Sequence, residues 1–153
     1  MSAVLKPIPS ALHRGEKELP FVSYQEGMSF QLLHADIEKG LWVVRVKAQP
    51  GVTLQRHKHT GEVFAYTIAG SWKYLEYPEV NMSGSYLYEP AGSVHTLQCI
   101  ENDTQVWFHM YGVNLNLDAD GNVESVADGA GALAFYLAMC ESMGLPRPDV
   151  LVD

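Results

Sequence analysis

The sequence predicts an all-β domain followed by one short C-terminal helix, and three observations carry that expectation. Runs rich in β-branched and aromatic residues recur along the chain, as in Leu41-Trp-Val-Val-Arg-Val. Turn-forming clusters such as Gln49-Pro50-Gly51 separate them at short intervals. A stretch with helical rather than strand spacing occurs only after Asp128.

Taken in order, residues 1–28 form a polar, proline-bearing lead-in, read as an arm that drapes over the domain or over a neighbouring subunit. Strand signals begin near Phe30, and Leu41–Val46 is a strand that the Gln49–Gly51 turn ends. Val63–Ile68 and Trp72–Tyr77 flank Ala69-Gly70-Ser71, which reads as a tight hairpin, while residues 78–84 read as a longer loop. Gln105–Tyr111 is a further strand. Asp118-Ala-Asp-Gly-Asn has the opening of a calcium loop, but position 129, where the closing Glu belongs, is Gly, and the segment is read as a hairpin turn. Asp128 supplies an N-cap for a helix over about 129–142, which Gly144 and Pro146 stop. Leu133, Tyr136, Leu137 and Cys140 fall on one face of that helix as a packing stripe, for the core or a subunit contact rather than an active site.

Composition narrows the function classes. At 153 residues, 47% hydrophobic and 18% charged, the chain is one globular domain with a substantial core. A formal net charge of −8 and a pI near 5.1 disfavour nucleic acid and anionic membrane surfaces as partners. No apolar run is long enough to span a bilayer and the N-terminus has no signal-like core, so a cytoplasmic location is expected. Cys99 and Cys140 sit in unrelated apolar contexts and read as buried thiols. The nucleophile-elbow, P-loop and dinucleotide fingerprints are all missing, which removes the usual signatures of serine hydrolysis, nucleotide hydrolysis and hydride transfer.

The chemistry points to histidine. His57 and His59 stand two apart, so on a strand both face one side, and a third imidazole from His95 on a partner strand would complete a metal site. Lone histidines are more often structural or exposed, and His13, His34 and His109 are read that way, with His109 also a candidate pocket residue.

The surrounding residues resemble the two motifs of the cupin superfamily. Gly51, His57, His59 and Gly70 match the first, and Gly84, Pro90, Gly92 and His95 match the second, with Cys99 where Asn usually stands. The resemblance implies a single-domain double-stranded β-helix, or jelly-roll barrel, over 29–127, preceded by the arm at 1–28 and followed by a helix and tail at 128–153. Many cupins add a Glu four or five residues after the second His, but Val63 and Phe64 occupy those positions here. Glu62 comes one residue early, which puts it on the opposite strand face unless a bulge or a bend at Gly61 turns it inward as a fourth ligand.

Over Arg56–Thr67, Ser71–Pro78 and Gly84–Leu97 the chain further resembles the 2,4'-dihydroxyacetophenone dioxygenases, non-haem iron cupins that cleave a carbon–carbon bond beside a ketone. Acetylacetone-cleaving dioxygenases are more distantly similar. The resemblance implies Fe(II) at His57, His59 and His95, an acidic role beside the ligands for Glu89, a ketone substrate with O2, and a homodimer or homotetramer. Imidazole ligands also suit zinc and nickel, so purified protein could carry either. Three neutral ligands leave a divalent charge uncompensated and favour an anionic ligand such as an enolate. Glu89 is either an exposed turn carboxylate or a base near the metal. The aromatic residues Trp42, Tyr66, Trp72, Tyr74, Tyr88, Trp107 and Tyr111 serve as core or as a platform for an aromatic substrate. A metal-binding sensor and a metal-assisted isomerase are the alternatives to a dioxygenase.

Overall fold

A computed structural model of the chain describes residues 9–152; residues 1–8 of the expected arm lie outside the described residues. In chain order the elements are β1 (Val22–Gln25), β2 (Met28–Asp36), β3 (Leu41–Ala48), β4 (Thr53–His59), β5 (Val63–Ala69), β6 (Ser71–Tyr74), β7 (Val80–Met82), β8 (Tyr86–Glu89), β9 (Val94–Cys99), β10 (Thr104–Tyr111), β11 (Asn114–Leu117), β12 (Val123–Ala127), α1 (Gly129–Ser142) and β13 (Leu151–Val152). Two sheets result. One runs β1-β2-β3-β10-β5-β8, with β13 added in parallel to β2, and the other runs β12-β11-β4-β9-β6-β7. The other pairings are antiparallel, and the two sheets share a core that includes Leu32, Val44, Val63, Trp72, Leu97 and Phe108.

Strand parity decides what faces that core. Val63, Ala65 and Thr67 on β5 are buried while Tyr66 is exposed, and His95, Leu97 and Cys99 on β9 alternate with less buried neighbours. Hydrophobic burial on the inner faces is the main stabilising contribution.

Three expectations change. Residues 22–28, assigned to the arm, form β1 and its turn into β2, so the sheet begins earlier than Phe30. The segment before it also lies on its own barrel: Leu19 is buried, and the Gln31 side chain donates to the carbonyls of Glu16 and Leu19. The Ala69-Gly70-Ser71 segment is not a hairpin. It carries the chain from one sheet to the other, since β5 pairs with β8 and β10 whereas β6 pairs with β7 and β9. Gly70 has φ 73°, and a Cβ there would lie 2.7 Å from the Cα of Thr104, whose hydroxyl bridges to the backbone of Ser71. The strand after it stops at Tyr74, and the expected loop at 78–84 contains β7.

The turn at 118–122 does join a hairpin, β11 to β12. Its Asp118 carboxylate accepts from the backbone N–H groups of Asp120 and Asn122. Asp128 caps α1 by accepting from Gly131 N at 2.8 Å, and the helix buries Tyr136 and Cys140 against the first sheet. Cys99 and Cys140 are both free and buried. No helix among the described residues is long and apolar enough to cross a membrane.

Candidate metal centre

His57 and His59 leave the end of β4 on one face, and His95 is the direct cross-strand partner of His57 on β9. Their inward aim depends on an irregularity. Between the pairs Leu54↔Leu97 and His57↔His95, β4 advances one residue more than β9, a β-bulge at Gln55-Arg56. Leu54 therefore faces the interior cavity together with His57 and His59, although strict alternation from Leu54 would send both imidazoles outward.

The three rings come together with centroids 4.7 to 4.9 Å apart. Each offers one ring nitrogen within 4.8 Å of the others, and all three residues are buried. For His57 and His59, neighbours fix which nitrogens these are. His57 Nδ1 lies 2.7 Å from the Gln55 carbonyl and His59 Nδ1 lies 2.7 Å from Asn114 Oδ1, so Nδ1 carries the proton and donates in both, leaving the Nε2 lone pair for the centre. The Nε2 atoms of His59 and His95 are buried without a hydrogen-bond partner. Burial holds all three imidazoles neutral: His57 is lowered, and His59 and His95 are pushed down to about 4 and about 2 by desolvation, with His57 repelling a charge on either and His59 adding to the effect on His95. Three neutral imidazoles, two oriented by hydrogen bonds and one with both ring nitrogens unpartnered, are a donor set that suits a divalent ion, so these residues fit a metal.

Glu89 is the fourth functional group. It points inward with Leu87 while Tyr86 and Tyr88 point out, so it is not the exposed turn carboxylate that was one of its two readings. Its Oε1 lies 3.2 Å from His95 Nε2 and its Oε2 lies 3.6 Å from His59 Nε2. Tyr74 donates its hydroxyl to Oε1, while Oε2 is buried and unpartnered. Burial drives the carboxyl up to about 7, partly offset by the Tyr74 hydrogen bond. Glu89 is also the cross-strand partner of Val63, one of the positions where the usual cupin Glu would stand. The acid thus enters from β8 instead of from β5.

Glu62 is exposed on the outer parity of β5 and accepts a hydrogen bond from Tyr88 at 2.6 Å, away from the histidines. His109 is likewise outward and lines a shallow depression with Phe64, Tyr66 and Tyr111. Sequence reasoning placed Tyr74 among core or platform aromatics but missed its tie to Glu89 and His95, and it did not single out Gln55 or Asn114. Tyr74 is buried, stacks on His95 at 3.7 Å between centroids and holds Glu89. Alternation along Trp72-Lys-Tyr74 gave the only signal, and it did not separate Tyr74 from ordinary core.

A cavity of about 350 Å³ opens above His57, His59 and Tyr74. Trp42, Val44, Leu54, Leu97 and Phe108 are among its walls, and α1 contributes Gly131, Ala132 and Phe135. The helix, expected to serve packing alone, is therefore also a wall of the candidate site.

Fold and centre together define a cupin with a three-histidine site, and comparison with known proteins gives the family. The chain belongs to the family described as the ChrR cupin-like domain, which matches residues 12–114. A protein of unknown function with a cupin-like fold from Ralstonia eutropha JMP134 is 31% identical, with 97% of this chain and 96% of that one covered and a TM-score of 0.86. An RmlC-like cupin from the same organism is 29% identical, with 90% and 91% covered and a TM-score of 0.83. Acetylacetone dioxygenase from Acinetobacter johnsonii shares the fold at 20% identity, with 91% and 99% covered and a TM-score of 0.76. No curated protein matches the sequence.

Proposed function

We propose that this chain is a non-haem iron dioxygenase that cleaves a carbon–carbon bond of a hydroxyketone, such as a 2,4'-dihydroxyacetophenone-like compound, or of a β-diketone, using O2. The observation that carries this reading is the pairing of three neutral imidazoles with a buried, unpartnered carboxylate oxygen beneath an apolar cavity. Fe(II) at His57, His59 and His95 would supply Lewis acidity towards the substrate oxygens and the means to activate O2; redox-inert zinc in the same place would supply only the first.

The chain's own residues do the rest. Gln55 and Asn114 hold the His57 and His59 rings in register, and Tyr74 braces His95 by stacking. Glu89, whose affinity for a proton is raised to about 7, is suited to accept the proton lost when a ketone becomes an enolate. Tyr74 lines the cavity and hydrogen-bonds Glu89, so it gives that proton a route from the cavity to the carboxylate. The apolar walls keep bulk water from the deprotonated substrate. A hydroxyketone and one O2 then yield two carboxylic acids, and a β-diketone yields an acid and a dicarbonyl.

The test is oxygen uptake by Fe(II)-reconstituted protein with product analysis. Uptake that requires iron and is abolished in His95→Ala supports the reading; undiminished uptake in that variant sinks it. The family description favours one second reading, a metal-dependent sensor. Metal binding with no oxygen consumption on any ketone would move the assignment there.

A further inference from the structure

We propose that the substrate carries a bulky, uncharged apolar substituent, aryl or medium-chain alkyl, that fills the cavity between the histidines and the α1 mouth. This rests on the reading that a metal at the three histidines chelates a ketone, and it names which ketones the site prefers.

The argument starts from what lines the space. The floor is polar, with His57, His59 and Tyr74, and Asn114 stands beside His59. Above it the walls are mainly hydrocarbon, Asn116 and Ser125 being the polar exceptions and hydrogen-bonded to each other, and no Lys, Arg, Asp or Glu lines the cavity among the described residues. A substrate ending in a carboxylate or phosphate would leave that charge unpaired in apolar surroundings, a penalty that selects against acids and sugar acids. Size points the same way. At roughly 30 Å³ per water-sized group, about 350 Å³ holds on the order of a dozen non-hydrogen atoms, more than the smallest β-diketones possess.

The mouth is aromatic. Phe30 stacks with Phe135 of α1 at 6.0 Å between centroids, and Tyr24 meets both edge-on at 6.4 and 6.3 Å. Tyr24 and Phe135 are 48% and 40% exposed, as is Val126 at 58%, although all three line the cavity. Large apolar side chains left half open around a concave site mark the place where an apolar group of a ligand completes the packing. β1 and α1, distant in sequence, thus jointly read the substituent, whereas the histidines read the chelating end.

The experiment uses full-length zinc-loaded protein, which binds without turnover, and a series of butane-1,3-diones substituted at C1 with methyl, propyl, pentyl, phenyl or carboxyethyl. Binding is followed by calorimetry. Kd is expected to fall about threefold to fourfold per added methylene, with phenyl at least as tight as propyl. Carboxyethyl is expected to bind at least about tenfold more weakly than propyl. In Phe135→Ala the gain from propyl to pentyl should be largely lost, and Val126→Lys should recover carboxyethyl binding. A flat series, carboxyethyl binding as tight as propyl, or no binding by any member overturns the proposal. Oxygen uptake by the iron form on the same series is scored separately. A steep series without uptake leaves the cavity assignment standing and removes the dioxygenase; uptake with a flat series does the opposite.

Discussion

Glu89→Gln in metal-free protein is the most direct probe of the centre's electrostatics. The carboxyl is 3% exposed and its proton affinity is raised from an ordinary 4.5 to about 7, chiefly by burial. Between these values the unfolded chain has released the proton while the folded one keeps it. Glu89 therefore withdraws stability as pH rises from 4.5, and the full loss is reached above about 7. At about 1.4 kcal/mol per pH unit the loss comes to about 3 kcal/mol, a sizeable part of the stability of an ordinary domain. The three histidines act in the opposite sense. Their proton affinities are lowered, so the unfolded chain binds protons that the folded one refuses, and both proteins lose stability as pH falls below 6.5. That contribution cancels in the difference between variant and wild type. Urea unfolding of chelator-treated proteins from pH 4 to pH 8 should show Glu89→Gln gaining on wild type by about 3 kcal/mol as pH rises. Loading a divalent ion should shrink the gap, because a cation beside the carboxylate favours its ionised form. A difference that stays flat with pH would refute the assignment of Glu89 as a desolvated acid.

Other perturbations test separate links. Asn114→Leu removes the acceptor for His59 Nδ1–H and should weaken metal binding about tenfold to a hundredfold in chelator competition; unchanged affinity would mean that Asn114 does not orient the ring. Gly70→Ala forces a Cβ against Thr104 at a positive φ and should cost about 2 kcal/mol or more in urea unfolding, with a neutral result contradicting the tight sheet-to-sheet crossing. A homodimer or homotetramer of the 17.0 kDa chain is expected by sedimentation equilibrium at micromolar concentration, and a monomer there would remove oligomerisation from the account.

What could be read from the sequence divides along physical lines. Leu41–Val46 and Gln105–Tyr111 announce themselves because β-branched and aromatic residues suit a pleated surface, and both lie inside observed strands. Asp128 and Gly144 bracket the helix because caps are local chemistry. The histidine spacing is legible because it is a motif, and the structure does bring the three rings together. The crossing at Gly70 was not legible. A glycine at positive φ serves a hairpin and a crossing equally well, and only distant β9 and β10 decide which neighbours the two strands acquire. Glu89 stayed ambiguous for a related reason: the parity of Tyr86-Leu-Tyr-Glu89 depends on which face of β8 the barrel covers. The role of α1 was missed because its buried stripe, Tyr136 and Cys140, lies beside a second face, Gly131, Ala132 and Phe135, that turns to the cavity.

The bulge at Gln55-Arg56 has an evolutionary corollary. It absorbs one surplus residue of β4, so that Leu54 and His57, three apart in sequence, still share the inner face. Loss of a single codon there would leave one residue between Leu54 and His57, so the bulge would vanish and plain alternation would keep Leu54, His57 and His59 on the inner face. A chain one residue shorter between Leu54 and His57 can therefore present the same three imidazoles on an unbulged strand.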